Sequence, residues 1–131
     1  MSGLVLDAGA LIALDRNDRE TWSILRASID DRDQIEVPVG TIAQVWRDGA
    51  RQANLSRALQ HCREVVLSGS AARAVGVLCG RSATTDVIDA SVAVATAMLA
   101  HRVTTVVLTS DPQDIQRLLD ELGSAAIVEP V

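Results

Sequence analysis

Five aspartates stand where carboxylates can be made to act together: Asp7, Asp86, Asp89, Asp111 and Asp114. Asp7 closes the apolar run Leu4-Val5-Leu6, and Asp111 follows Val106-Val107-Leu108 after Thr109-Ser110. Asp86 and Asp89 open a helical stretch three residues apart, a spacing that places both on one face. Gathering negative charge in one place is costly unless something neutralises it. A divalent cation does so, and oxygen donors without convergent Cys or His favour Mg²⁺, or Mn²⁺, over zinc. A cation held there would lower the pKa of a bound water and neutralise developing negative charge. Each acid also has a structural reading. Asp111 before Pro112 has the pattern of a helix N-cap, with Asp114 in the first turn; Asp86 and Asp89 suit a helix dipole, and Asp7 suits a cap for a helix near Ala10. Three helix starts that all carry acid at strand ends weigh toward a shared metal site over separate caps.

The elements that must position these groups follow from the apolar pattern. With 131 residues, 48% apolar and 22% charged, the chain is expected to form one globular domain over residues 1–131 with its own core. Leu4 to Leu6, Ile35 to Val37, Val65 to Leu67, Val106 to Leu108 and Ile127-Val128 are short enough for buried strands. Between them lie helical spacings: Trp22, Leu25 and Ile29; then Ile42, Val45, Trp46 and Gly49; then Ala71 to Leu78; then Val87 to Leu99. Such alternation implies crossover units and an α/β fold, a three-layer α/β/α sandwich with a mainly parallel central sheet. Ligands of open α/β sheets collect outside the carboxyl ends of the strands. Asp7 and Asp111 are therefore expected in one crevice.

Composition removes several alternatives. All twelve basic residues are arginines, so Schiff-base chemistry and a P-loop lysine are excluded. Receiver-like and dehalogenase-like phosphoryl chemistry fails on the same missing lysine. Trp22 and Trp46 are the only aromatics, too few for a platform that stacks successive bases, so nucleic acid must be gripped mainly by arginine. The net charge of −5 argues weakly against a nucleic-acid partner without excluding one. Cys62 and Cys79 lie in no CxxC pair and read as buried reduced thiols. No stretch approaches the ~20 apolar residues of a membrane span. A cytoplasmic protein without a membrane partner is expected.

The blocks LVLDAGALIALDR, VPVGTIAQVWRDG, TTDVIDASVAVATA and VVLTSDPQDI occur in the order found in PIN domains. The chain resembles that family from about Leu4 to Val128, and more narrowly the VapC-type toxins of toxin–antitoxin pairs. The resemblance implies a Mg²⁺- or Mn²⁺-dependent ribonuclease that cuts structured RNA, often tRNA or rRNA, leaving a 5′-phosphate and a 3′-hydroxyl. It also implies a homodimer and a cognate antitoxin whose tail enters the acidic site. Carried over by position, Asp7, Asp89 and Asp111 match the family's catalytic, metal-holding acids, with Asp86 and Asp114 as auxiliaries.

The chain departs from the family at Gln44, where a Glu is usual. Gln44 can offer a carbonyl oxygen to a cation or its water; equally, Thr41-Ile42-Ala43-Gln44 fits a capping box. Arg47 and Arg51 share a helical face with Gln44 if the helix continues past Trp46, which makes them candidates for RNA phosphates or for surface ion pairs with Asp48. Arg16 and Arg19 are weaker candidates. His61 and His101 sit near helix ends, where dipole compensation or solvation accounts for them. A DNA nuclease of the same fold, and a weakly active or inactive PIN-like scaffold that binds RNA or a partner, are the competing readings. Gln44 and the net acidity favour the scaffold.

Overall fold

The computed structural model describes residues 1–131. Its strands are β1 (Gly3–Leu6), β2 (Gln34–Pro38), β3 (Arg63–Val65), β4 (Thr105–Thr109) and β5 (Ile127–Pro130). They form one parallel sheet in the order β3-β2-β1-β4-β5. The helices are α1 (Ala8–Asp15), α2 (Arg19–Asp30), α3 (Val39–Val45), α4 (Ala53–Leu59), α5 (Gly69–Ser82), α6 (Val87–Ala100) and α7 (Pro112–Glu121). The three-layer α/β/α sandwich read from the sequence is the fold.

Period-two alternation divides the core between the sheet's two faces. Leu4 and Leu6 of β1, with Ile35, Val37 and Leu108, pack with α1, α2 and α4. Val5 and Val107 face the other way, into a cluster built by α5, α6 and α7. Helix α6 is buried along Ala90 to Ala97 and at Leu99, because it lies between the sheet and the two helices flanking it. Its Ala, Ser, Thr and Val side chains are small enough for that close approach. Glu36 is the charged exception inside the sheet, 5% exposed, and is matched by Arg63 at 3.3 Å and Arg102 at 3.9 Å.

The chain winds from β1 to β2 and β3 on one side and from β4 to β5 on the other, so β1 and β4 flank the point where the winding reverses. At such a point the loops leaving adjacent strands part and open a crevice. The loops that part here carry Asp7 and Asp111.

Four local expectations are corrected. The third strand is Arg63–Val65; Val66 and Leu67 lie beyond it and are 71% and 45% exposed. Helix α3 ends at Val45, because Trp46 adopts extended angles (φ −68°, ψ 127°). Trp46 is consequently 40% exposed and not core. The capping box at Thr41 is absent: α3 starts at Val39, so Thr41 already lies within the helix, and its hydroxyl donates to the Pro38 carbonyl at 2.7 Å. Cys62 and Cys79 are free but only half-buried. Burial, with Glu64 nearby, pushes the Cys62 thiol up to about 12, so it stays protonated.

Candidate functional site

Three helix N-termini meet at the carboxyl edge of β1 and β4. Asp7 is the N-cap of α1, is 4% exposed, and accepts the Ala10 N–H at 3.1 Å. Asp86 is the N-cap of α6 and accepts the Asp89 N–H at 3.0 Å. Asp111 occupies the N-cap position of α7 ahead of Pro112, yet its carboxylate caps nothing. Its backbone N–H is held instead by the Thr109 hydroxyl at 2.9 Å, which leaves the carboxylate turned outward. Two of the three acids at cap positions therefore do cap; Asp111 does not, and its side chain needs another reason to be there.

One carboxylate oxygen each from Asp89, Asp111 and Asp114 lies within 4.8 Å of the other two. Asp89 is half-buried, while Asp111 and Asp114 are exposed. Burial first, then the charges of Asp86, Asp111 and Asp7, push the Asp89 carboxyl up to about 7. Burial also raises Asp7, against the opposing pull of the Thr109 hydroxyl and the N–H groups of Ala10, Gly9 and Ser110. Asp7 lies outside the close trio and acts on Asp89 through its charge. The protein's ion pairs join Arg51 to Asp48 and Arg63 and Arg102 to Glu36; none reaches these acids. An all-oxygen set of carboxylates, mutually repelling and unmatched by arginine, fits a hard divalent cation such as Mg²⁺ or Mn²⁺.

The arginines expected beside the site are placed differently from the sequence reading. Because α3 ends at Val45, Gln44, Arg47 and Arg51 do not share a helical face. The Arg47 guanidinium donates to the carbonyls of Ala43 (3.1 Å) and Trp46 (2.7 Å), closing off the end of α3. Arg51 pairs loosely with Asp48 at 3.7 Å in the short 3₁₀ turn Gly49–Arg51. Both are exposed, as is Gln44.

Two positioning residues escape a reading by residue type. A Cβ at Gly9 would collide with the side chain of Ser110 and meet its backbone nitrogen at 3.0 Å. Only glycine lets the first turn of α1 pass this close to the β4–α7 turn. Thr109 is the second, holding Asp111 by its backbone while favouring charge on Asp7. Thr109-Ser110 before Asp-Pro is a turn signal, but nothing in the sequence brings Gly9 to it.

A chain in the crystal structure of VapBC2 from Rickettsia felis, bound to a DNA fragment from their promoter, superposes with a TM-score of 0.68 over 98% of each chain, at 11% identity. The fold is shared with that chain. At this identity the likeness speaks for the fold alone. No family model matches the sequence. No curated protein matches it either.

Proposed function

We propose that the chain is a Mg²⁺- or Mn²⁺-dependent endoribonuclease of the PIN-domain type, the toxin of a toxin–antitoxin pair, hydrolysing phosphodiester bonds in structured RNA. The observation that carries this reading is the cluster of aspartates from three helix starts with no arginine paired to it. The fold shared with a chain of VapBC2 supports it. Asp89, Asp111 and Asp114 would hold the cation, with Asp7 and Asp86 adding negative charge behind them. A cation there would supply Lewis acidity to water and offset the charge that develops on the phosphate.

The protein's own groups do the rest. The N-terminal ends of α1, α6 and α7 direct their partial positive charge toward the carboxylates, which eases the repulsion among them. Thr109 and the Gly9–Ser110 crossing fix the distance between the β1 and β4 loops, so the acids need not reorganise when charge develops. Arg47 and Arg51, exposed on the segment after α3, are available to RNA phosphates. The cytoplasm, a homodimeric state, a cognate antitoxin and tRNA or rRNA as substrate belong to the same reading.

The test is end-mapping of total cellular RNA after incubation with purified protein, with Mg²⁺ or Mn²⁺ and with EDTA. A few discrete cuts that need metal support the ribonuclease; the same cuts with EDTA overturn it. A folded, partner-free preparation that binds RNA without cutting favours the scaffold, for which Gln44 in place of an acid is the supporting observation.

A further inference from the structure

Arg19 and Arg26 of α2 and Arg57 of α4 put positive charge around Trp22, away from the acidic crevice. Trp22 is 4% exposed, and its indole N–H donates to the Leu14 carbonyl at 3.0 Å, so the ring is fixed in place. Two guanidinium groups lie over that ring. Arg57, from α4, has its Cζ 4.6 Å from the centroid, and Arg26, one turn further along α2, is at 5.6 Å. Stacking on an indole orients a guanidinium plane and restricts its rotamers. Neither Arg26, Arg57 nor the nearby Arg19 forms an ion pair. Their N–H donors are left to solvent.

A concave cleft of about 290 Å³ adjoins the stack, bounded by Asn17, Arg19, Trp22, Ser23 and Arg26. Its walls hold two cations, an amide and a hydroxyl, and no carboxylate. The acid next in sequence, Asp18, is engaged in capping α2, accepting the Thr21 N–H at 2.9 Å and the Thr21 hydroxyl at 2.7 Å. Glu20 faces a separate cavity with Arg16. Two cations held on one ring without a counter-charge, in a chain of net charge −5, mark a place prepared for an anion.

We propose that this cleft is a second nucleic-acid contact, binding backbone phosphates of the RNA strand away from the bond that is cut. The inference rests on the ribonuclease reading. Planar guanidinium forks match phosphate oxygens in pairs, and a ring already stacked with arginine has no role as a base platform. Helix α1 leads from Asp7 to the edge of the cleft, and its eight residues span about 12 Å. At ~3.4 Å per phosphate along one strand, the cleft lies a few nucleotides from the carboxylates. A polyanion with regularly spaced charges can reach both places at once; a single acidic side chain cannot.

The experiment measures binding of the full chain to fluorescein-labelled total tRNA by anisotropy, in EDTA so that nothing is cut, from 50 to 300 mM salt. The variants are the double Arg26→Gln/Arg57→Gln, and Arg19→Gln/Arg26→Gln as a pair that leaves Arg57 on Trp22. Arg73→Gln on α5 is the control. Each double variant should lower the magnitude of the salt slope by about 1.4 and weaken binding by roughly 20-fold at 0.1 M salt, at two phosphates lost. Arg73→Gln should change neither. Unchanged slopes in the two double variants overturn the proposal. Arginine-dependent binding of polyglutamate with RNA binding unaffected also overturns it, in favour of an acidic protein partner. Loss of RNA binding in the variants, from a wild-type chain that never cuts RNA, upholds the cleft while refuting the nuclease.

Discussion

Gly9→Ala is the substitution that most directly probes how the site is assembled. Gly9 lies in the first turn of α1, where alanine would ordinarily be the better residue by roughly 0.5–1 kcal/mol. Here the new methyl collides with the Ser110 side chain and sits 3.0 Å from the Ser110 nitrogen. Ser110 is exposed, so its hydroxyl can rotate away; its Cβ and backbone nitrogen cannot, and the β4–α7 turn must move. Overpacking against backbone costs about 1–3 kcal/mol. The clash therefore outweighs the propensity gain, for a net loss of about 1–2 kcal/mol. With ~2.1 cal/mol/K of unfolding entropy per residue, a chain of 131 residues loses roughly 4 °C in Tm per kcal/mol, so a fall of about 4–8 °C is expected by calorimetry. Gly76→Ala, mid-helix in α5 with nothing within 4 Å of the new Cβ, should instead raise Tm by about 2–4 °C. Divalent-cation affinity, measured by titration calorimetry, should drop in Gly9→Ala and hold in Gly76→Ala. If both variants are stabilised alike, the α1 and β4–α7 loops are not in the contact described, and the spacing of Asp7 and Asp111 is not set there.

Three further outcomes follow from the same geometry. Asp111→Asn, which removes no capping bond, should leave the unfolding free energy within about 0.5 kcal/mol of wild type or raise it, while abolishing Mg²⁺ binding; a large destabilisation would show that the carboxylate has a structural duty. Asp89, raised to about 7 by burial and by Asp86, Asp111 and Asp7, binds its proton more tightly in the folded chain than in the unfolded one, so its contribution to stability is full below about pH 4 and is lost as pH rises through about 7. The metal-free protein should accordingly melt lower at pH 8 than at pH 5, with Mg²⁺ stabilising it more at pH 8; a carboxyl NMR titration that places Asp89 near 4 would refute this. Gln44→Glu adds a negative charge on α3 and should tighten Mg²⁺ binding several-fold in a calorimetric titration; an unchanged Kd places the residue away from the ion.

The sheet and its layers were legible because buried parallel strands read as short apolar runs and β1 and β4 both end in polar loops bearing aspartate. Pairing Asp7 with Asp111 in one crevice followed from two parallel strands that each end in aspartate. The region after Val45 was not legible. The apolar spacing Ile42, Val45, Trp46, Gly49 continues a helical period, but Gln52 accepts the N–H groups of Arg47 and Asp48 at 2.8 and 3.0 Å and holds the chain in a different path. A neutral side chain that accepts backbone N–H groups leaves no periodic trace. Trp22 reads as a core residue from its spacing with Leu25, which it is; that Arg57 lies over it depends on α2 and α4 both packing on α1, an arrangement no local pattern contains. Asp111 before Pro112 likewise has the sequence pattern of an N-cap, whereas the Thr109 hydroxyl takes its backbone N–H and leaves the carboxylate free.

The most direct test is cleavage of a single defined tRNA pool by wild type and Asp111→Asn, side by side, with 5 mM Mg²⁺ and with EDTA. Discrete cuts by wild type in Mg²⁺ alone, absent in a variant whose melting curve matches wild type, are the expected result. Equal cutting by the variant, or cutting that survives EDTA, would contradict a metal centre at Asp89, Asp111 and Asp114.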